Sequence, residues 1–132
     1  MDIEKSSASR LSTVSIFLTH WLPPFAYAAL IFYLSSIPGT TYPTLFFSAD
    51  KFLHLGEYGI LGYLLARALG YYHFKKKTLF IIAVSICFIY GVSDELHQFF
   101  VPYRCPSVID IIADGIGSAI GVGIYVKQRS IL

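Results

Sequence analysis

Four long apolar segments are the feature that most limits how this chain can fold. They cover about residues 14–36, 50–70, 78–99 and 107–126. Each is about 20 residues long, the length that an α-helix needs to cross a hydrocarbon layer of about 30 Å. The chain is 55% hydrophobic and 14% charged, too little charge to cover a soluble protein of 132 residues. The sequence therefore predicts a single-domain, all-α membrane protein, folded as a four-transmembrane-helix bundle.

The boundaries of these segments carry residues that start or stop helices. A polar leader occupies residues 1–11, and Pro38-Gly39 ends the first segment. The turn before the fourth segment contains Pro102 and Pro106. Within the first segment, the pair Pro23-Pro24 predicts a kink, because proline cannot donate the helical hydrogen bond.

The distribution of basic residues predicts the orientation. Eight of the ten lie in the leader, in the turn between the second and third segments, or in the tail: Lys5, Arg10, Arg67, Lys75, Lys76, Lys77, Lys127 and Arg129. With four spans, these regions share one side of the membrane. Lysine and arginine accumulate on the cytoplasmic side. We therefore expect a multi-pass protein of the bacterial cytoplasmic (inner) membrane with both termini in the cytoplasm.

The acidic residues concentrate on the opposite, outer side. Six of the eight lie in or beside the outer ends of the last three segments: Asp50, Glu57, Asp94, Glu95, Asp110 and Asp114. Glu57 follows the start of the second helix by seven residues, which is about 10 Å at a helical rise of about 1.5 Å per residue. Asp114 follows Ser107 by the same distance. We expect three helices to bring these acids together in one polar site.

Charge balance limits what such a site can be. Lys51 and Arg104 are the two basic residues on that side, so six ionised acids would leave a net charge of −4. Some acids must be protonated, or a cation must lie among them, or the cluster must open to water. Asp94 and Glu95 lie near a helix C-terminus, where the dipole disfavours negative charge. These two therefore most need a partner, and Arg104, His54 or a metal ion could supply it.

Simpler structural readings exist for several of these residues. Ser107 and Asp110 have the spacing of a capping box at the start of the fourth helix. Asp50 has a position suited to starting the second helix. Gly117-x-x-x-Gly121 predicts a close helix contact that turns Asp114 into the bundle.

Two further patterns are weak indicators of chemistry. His54-x-x-Glu57 has the spacing of a ligand pair on one helix face, but one pair does not specify an ion. The two cysteines, Cys87 and Cys105, do not form a disulfide framework.

The combined motifs resemble the VanZ-like family of bacterial membrane proteins. The first motif is Asp50-Lys51-x-x-His54-x-x-x-Tyr58, and the second is Asp94-Glu95-x-x-Gln98-x-x-x-Pro102-x-Arg104-x-x-Ser107-x-x-Asp110. The third is Asp114-Gly115-x-Gly117, and Ser35-Ser36-x-Pro38 precedes all three. The resemblance covers roughly residues 30–123, and Asp114 stands where that family's pattern has Asn. The family takes its name from a protein associated with low-level teicoplanin resistance. The resemblance therefore implies a cell-envelope setting, without an established reaction.

From these patterns we expect an outward-facing site that acts on, or binds, an envelope lipid or lipid-linked precursor, with a divalent cation as a possible cofactor and no nucleic-acid partner. The alternative is a non-catalytic binding or shielding protein whose polar cluster locks the helices together. In the first reading, the expected catalytic residues are His54, Asp94, Glu95 and Asp110. The expected substrate-binding residues are Lys51, Arg104, Gln98, Tyr58 and Ser107. The expected supporting residues are Asp50, Glu57, Asp114 and Gly117.

Overall fold

Four helices make up the described part of the chain. The computed structural model describes residues 13–39 and 47–131, without the side chains of residues 47–50. The helices are α1 (Thr13–Ser35), α2 (Phe47–Gly70), α3 (Lys76–Gln98) and α4 (Val108–Gln128), and these residues include no strand. The predicted all-α class is confirmed, with observed boundaries within three residues of the expected ones.

Three of these helices, α1, α3 and α4, are long and apolar enough to cross a membrane. Their outer faces expose large apolar side chains, including Phe25, Ile89 and Ile112, which are 53–68% exposed. Such faces suit lipid and would be costly in water. Helix α2 is 24 residues long but does not join this group, since it carries Asp50, Lys51, Glu57 and Arg67. A fourth span through α2 therefore stays a prediction.

Helix α1 contains a π-helical segment, Phe17–Trp21, immediately before the two prolines. Pro23 cannot donate the hydrogen bond that the carbonyl of Thr19 would receive in a regular helix. The guanidinium of Arg67 in α2 donates to that carbonyl instead, at 2.9 Å. Beside Pro23, where the sequence predicted a kink, the helix thus has a wide π-helical turn, and a neighbouring helix satisfies the carbonyl that Pro23 leaves without a donor.

Replacing Arg67 with methionine should therefore destabilise the bundle. The substitution keeps an unbranched side chain but removes the donor to Thr19, and a hydrogen bond from a charged group contributes about 1.5–3 kcal/mol. We expect a loss of that size in the free energy of unfolding, measured by denaturation in detergent. Lys77→Met, which removes a similar charge from an exposed position, is the control and should cost under about 0.5 kcal/mol. Equal losses in the two variants would contradict the assignment.

Helices α2 and α4 approach each other most closely, and glycine makes this possible. A Cβ atom at Gly117 would collide with the backbone of Leu55, and one at Gly121 with the carbonyl of Gly59. The close contact predicted from Gly117-x-x-x-Gly121 is therefore present. It holds two helix backbones in direct contact along the wall of the polar cluster.

Two turns are hydrogen-bonded to each other at one end of the bundle. The amide of Gly39 donates to the carbonyl of Pro102 at 3.1 Å. Arg104 donates from Nε to the carbonyl of Ile37 and from Nη2 to that of Leu34, both at 3.1 Å. A basic side chain thus satisfies carbonyls at the C-terminus of α1. The turn after α3 is held against the end of α1, beside the polar cluster.

The cysteines take no part in this connection. Cys87 is buried in the apolar core with Tyr58, Leu79 and Val122, and Cys105 is exposed in the turn. Both are free thiols.

Candidate functional site

A buried polar cluster lies between α2, α3 and α4. Six side chains that are 3–6% exposed, or wholly buried in the case of Asp114, belong to it: His54, Asp94, Glu95, Gln98, Asp110 and Asp114. Each of the three helices contributes at least one of them. The structure thus brings acids of α3 and α4 together with His54 of α2, whereas Glu57 of α2, which was expected among them, is not one of the buried residues.

Asp114 is at the centre of the cluster and is fully buried. Its Oδ1 is 3.0 Å from Nδ1 of His54. Space for this carboxylate exists because residue 91 of α3 is glycine, where a Cβ would lie 2.8 Å from Oδ2 of Asp114. Sequence reasoning missed Gly91. A glycine one turn before Asp94 in an apolar helix could have indicated a place where another side chain packs closely.

Ser107 caps the start of α4, as the sequence predicted. Its hydroxyl accepts the amide of Ile109 at 3.2 Å. The capping-box partner differs from the expected one, because Glu95 of α3 accepts the Ser107 amide at 2.7 Å. In a capping box, Asp110 would accept the Ser107 amide. Instead, Asp110 accepts a hydrogen bond from the ammonium of Lys51 at 2.7 Å. A carboxylate from another helix therefore fixes the helix start.

Several buried oxygens in the cluster have no hydrogen-bond partner among the described residues. Gln98 donates to Oδ2 of Asp94 at 3.1 Å, which leaves Oδ1 of Asp94 without a donor. Oε1 of Glu95 and Oδ2 of Asp114 likewise have no hydrogen-bond donor in the described chain. Buried carboxylate oxygens nearly always have a partner, because a buried charge without one is costly. A group from outside the described residues would satisfy them.

A pocket of about 300 Å³ adjoins the cluster between α1, α2 and α3. Its apolar wall comes from Ile31, Leu34, Ile37 and Leu53, and its polar wall from Ser35, His54, Glu57, Asp94, Gln98 and Arg104. The hydroxyl of Ser35 is buried and has no hydrogen-bond partner in the described chain. Sequence reasoning did not select Ser35 as a site residue, although the Ser35-Ser36-x-Pro38 pattern marked it.

Not every predicted site residue lies on this pocket. Of the expected substrate-binding residues, Gln98 and Arg104 line it. Tyr58 is fully buried in the core, Lys51 pairs with Asp110, and Ser107 caps α4. Arg104, one of three candidate partners for Asp94 and Glu95, donates instead to carbonyls at the end of α1.

The structure places His97 outside the site and does not describe the side chain of Asp50. His97 lies 2.9 Å from the hydroxyl of Ser36 and stacks on Phe32, away from the cluster. The side chain of Asp50 lies outside the described part of the structure.

Three residues of the cluster are candidate metal ligands, and one of them, His54, also lines the pocket. His54, Glu95 and Asp114 each offer one ligand atom, and these three atoms lie within 4.8 Å of one another. Glu57, which the helix spacing paired with His54, is not part of this group.

The fold and the cluster together define a class. This is a small, all-helical membrane protein with a carboxylate–histidine cluster buried between three helices. A profile of the VanZ/LLP1 family matches residues 3–131. The chain therefore belongs to the VanZ/LLP1 family. No match is found among curated proteins, and none among solved structures.

Proposed function

We propose that this protein is a bacterial cell-envelope protein of the cytoplasmic membrane, of the teicoplanin-resistance type. Its pocket would bind the anionic head group of an envelope lipid or lipid-linked precursor. In this proposal all four helices span the membrane, both termini are cytoplasmic, and the pocket opens outward. The basic residues at the far end of the bundle and the membership of the VanZ/LLP1 family support that orientation and setting.

The observation that carries the proposal is an arginine that shares the pocket wall with an unsatisfied hydroxyl. Arg104 and Ser35 both line the pocket, and the buried hydroxyl of Ser35 has no hydrogen-bond partner in the described chain. Oδ1 of Asp94, which also lacks a partner there, would accept from a hydroxyl of the head group and not from its phosphate. A guanidinium beside a hydroxyl suits a phosphate or carboxylate. The neighbouring apolar wall of Ile31 and Leu53 suits the first carbons of a lipid chain.

The same wall could support acid–base chemistry. His54 and Asp94 both line the pocket, and an imidazole beside a carboxylate can move a proton to or from a bound water or hydroxyl. In this reading Glu95 and Asp110 position the site, since they bind the amide of Ser107 and the ammonium of Lys51. A hydrolase that activates a water, or a transferase that activates a substrate hydroxyl as the acceptor, is the reaction class that these groups fit best.

A second candidate function is a structural lock. Its support is that three polar contacts join different helices or turns: Lys51 with Asp110, His54 with Asp114, and Glu95 with the amide of Ser107. In that case the cluster would hold the helices in register, and the protein would bind or shield envelope components without catalysis. Substitutions in the pocket would then change stability but not ligand binding.

Binding of a polyprenyl phosphate to the purified protein in detergent tests the proposal. The matched probe is the polyprenol of equal length, which has no phosphate. We expect the phosphate to bind, and the Arg104→Gln variant to bind it about 10–100-fold more weakly, as expected for the loss of a charge-assisted hydrogen bond. Mass spectrometry of copurified lipid would identify the natural head group.

Arg129→Gln is the control, because it removes the same charge at the opposite end of the bundle. It should bind the phosphate as the unmodified protein does. Because Arg104 also bonds the end of α1, thermal unfolding of each variant should be measured in parallel. If the phosphate and the alcohol bind equally, or if both variants lose the same affinity for the phosphate, head-group recognition is refuted. Either result would favour the structural role of the cluster.

A further inference from the structure

We propose that His54, Glu95 and Asp114 bind one divalent transition-metal ion. The three residues come from α2, α3 and α4, and one potential ligand atom from each lies within 4.8 Å of the others. All three side chains are buried, with exposures of 6%, 3% and 0%. Ligand atoms that are each about 2.0–2.2 Å from one ion have separations that fit within this limit.

Unsatisfied oxygens provide the second observation. Glu95 uses Oε2 to accept the Ser107 amide, and its Oε1 has no partner in the described chain. Asp114 uses Oδ1 toward His54, and its Oδ2 also lacks a partner. Each carboxylate therefore has one oxygen engaged with the protein and one remaining. This is the usual arrangement of a metal-binding carboxylate whose other oxygen is oriented by the protein.

Charge favours the same conclusion. The carboxylate of Asp110 is paired with Lys51, but Glu95 and Asp114 have no lysine or arginine within salt-bridge distance in the described chain. Two ionised carboxylates with this burial would be strongly unfavourable without a counterion. One divalent cation neutralises both, and it halves the charge excess of −4 counted from the sequence.

The ligand set selects the kind of ion. One imidazole and two carboxylates suit Zn²⁺ or Mn²⁺, whereas Mg²⁺ and Ca²⁺ prefer oxygen ligands throughout. Three protein ligands leave a coordination position for water or for an exogenous group, as in catalytic zinc sites. His54 also lines the pocket, so the ion would adjoin the space assigned above to a head group. The metal assignment rests on the three side chains alone and does not require the lipid proposal.

The test is metal content and metal binding of the full-length protein in detergent. After chelation and removal of the chelator, the protein should bind one equivalent of Zn²⁺ or Mn²⁺ by titration calorimetry. The bound metal should also raise the midpoint of thermal unfolding, because a ligand that binds the folded state stabilises it. This second measurement on the unmodified protein remains available if a variant fails to fold. No saturable binding, together with no shift in the midpoint, would overturn the proposal in favour of protonated carboxyl groups.

Two variants on one helix provide the matched comparison. Asp114→Asn removes a proposed ligand, whereas Asp110→Asn makes the same substitution one turn earlier, at a buried residue outside the group. We expect Asp114→Asn and Glu95→Gln to weaken binding by more than about tenfold, since changing even a supporting residue costs that much. Asp110→Asn should retain one equivalent. Unchanged binding in Asp114→Asn and Glu95→Gln would place the metal elsewhere and refute the assignment. Metal binding without lipid binding would preserve this inference and refute only the proposed function.

Discussion

Replacing Gly121 with alanine is expected to separate α2 from α4 and to destabilise the bundle severely. The new Cβ would collide with the backbone carbonyl of Gly59, and a backbone atom cannot move aside as a side chain can. Overpacking costs about 1–3 kcal/mol where side chains can adjust. We therefore expect a loss of about 3 kcal/mol or more in the free energy of unfolding, with a lower yield of monodisperse protein.

Gly123 provides the matched control two residues further along the same helix. The nearest atom to a Cβ at Gly123 is an edge carbon of Phe80 at 4.0 Å, an ordinary contact distance. Gly123→Ala should leave the free energy of unfolding within about 1 kcal/mol of the unmodified value, because alanine favours helix over glycine by that much. Thermal and chemical unfolding in the same detergent would measure both. Equal stability of the two variants would show that α2 and α4 are not in backbone contact.

Replacing His54 with alanine is expected to have the second large effect. His54 is the hydrogen-bond partner of Asp114 Oδ1, and Asp114 is fully buried. Removing one member of a buried polar pair costs about 3–5 kcal/mol, because the other is left without compensation. Measured with a chelator present, so that metal release contributes nothing, the free energy of unfolding should fall by that amount.

The double variant His54→Ala with Asp114→Asn tests whether the buried charge causes the loss. The amide occupies the same volume without a charge, so we expect the second substitution to recover part of the stability lost in the first. Asp114→Asn alone should be mild, since Asn retains an acceptor for His54. A His54→Ala variant within about 1 kcal/mol of the unmodified protein would contradict the pairing. Additive losses in the double variant would exclude coupling between the two side chains.

The sequence predicted the positions of some site residues but not all of their partners. The burial of Asp114 followed from the small-residue face after it, because glycine at four-residue spacing permits close helix contact. Capping by Ser107 followed equally from Pro106 and the start of an apolar run. The sequence did not predict which carboxylate accepts the Ser107 amide. Asp110 has the correct local spacing, but Glu95 of another helix is the acceptor in the folded chain.

Local pattern did not settle the partners of Arg104 and overlooked Ser35. The sequence left Arg104 as one of three candidate partners for the acids, and in the structure the carbonyls at the end of α1 receive its hydrogen bonds while it lines the pocket. The sequence placed Ser35 at the end of a helix and gave it no further role. The packing of α1 against α2 and α3 puts Ser35 on the pocket wall. Gly91 was missed for the same reason, since its importance depends on the carboxylate that faces it from α4.

Hydropathy and local spacing determined the helices, the small-residue contact and the concentration of acids near one end, because these properties depend on neighbours along the chain. The tertiary structure decided which acid pairs with which base, which buried oxygens remain unsatisfied, and which three side chains share a space small enough for an ion. Those outcomes depend on the rotation and approach of helices separated by tens of residues. A one-dimensional pattern does not specify that rotation, whereas close packing of the glycine faces does.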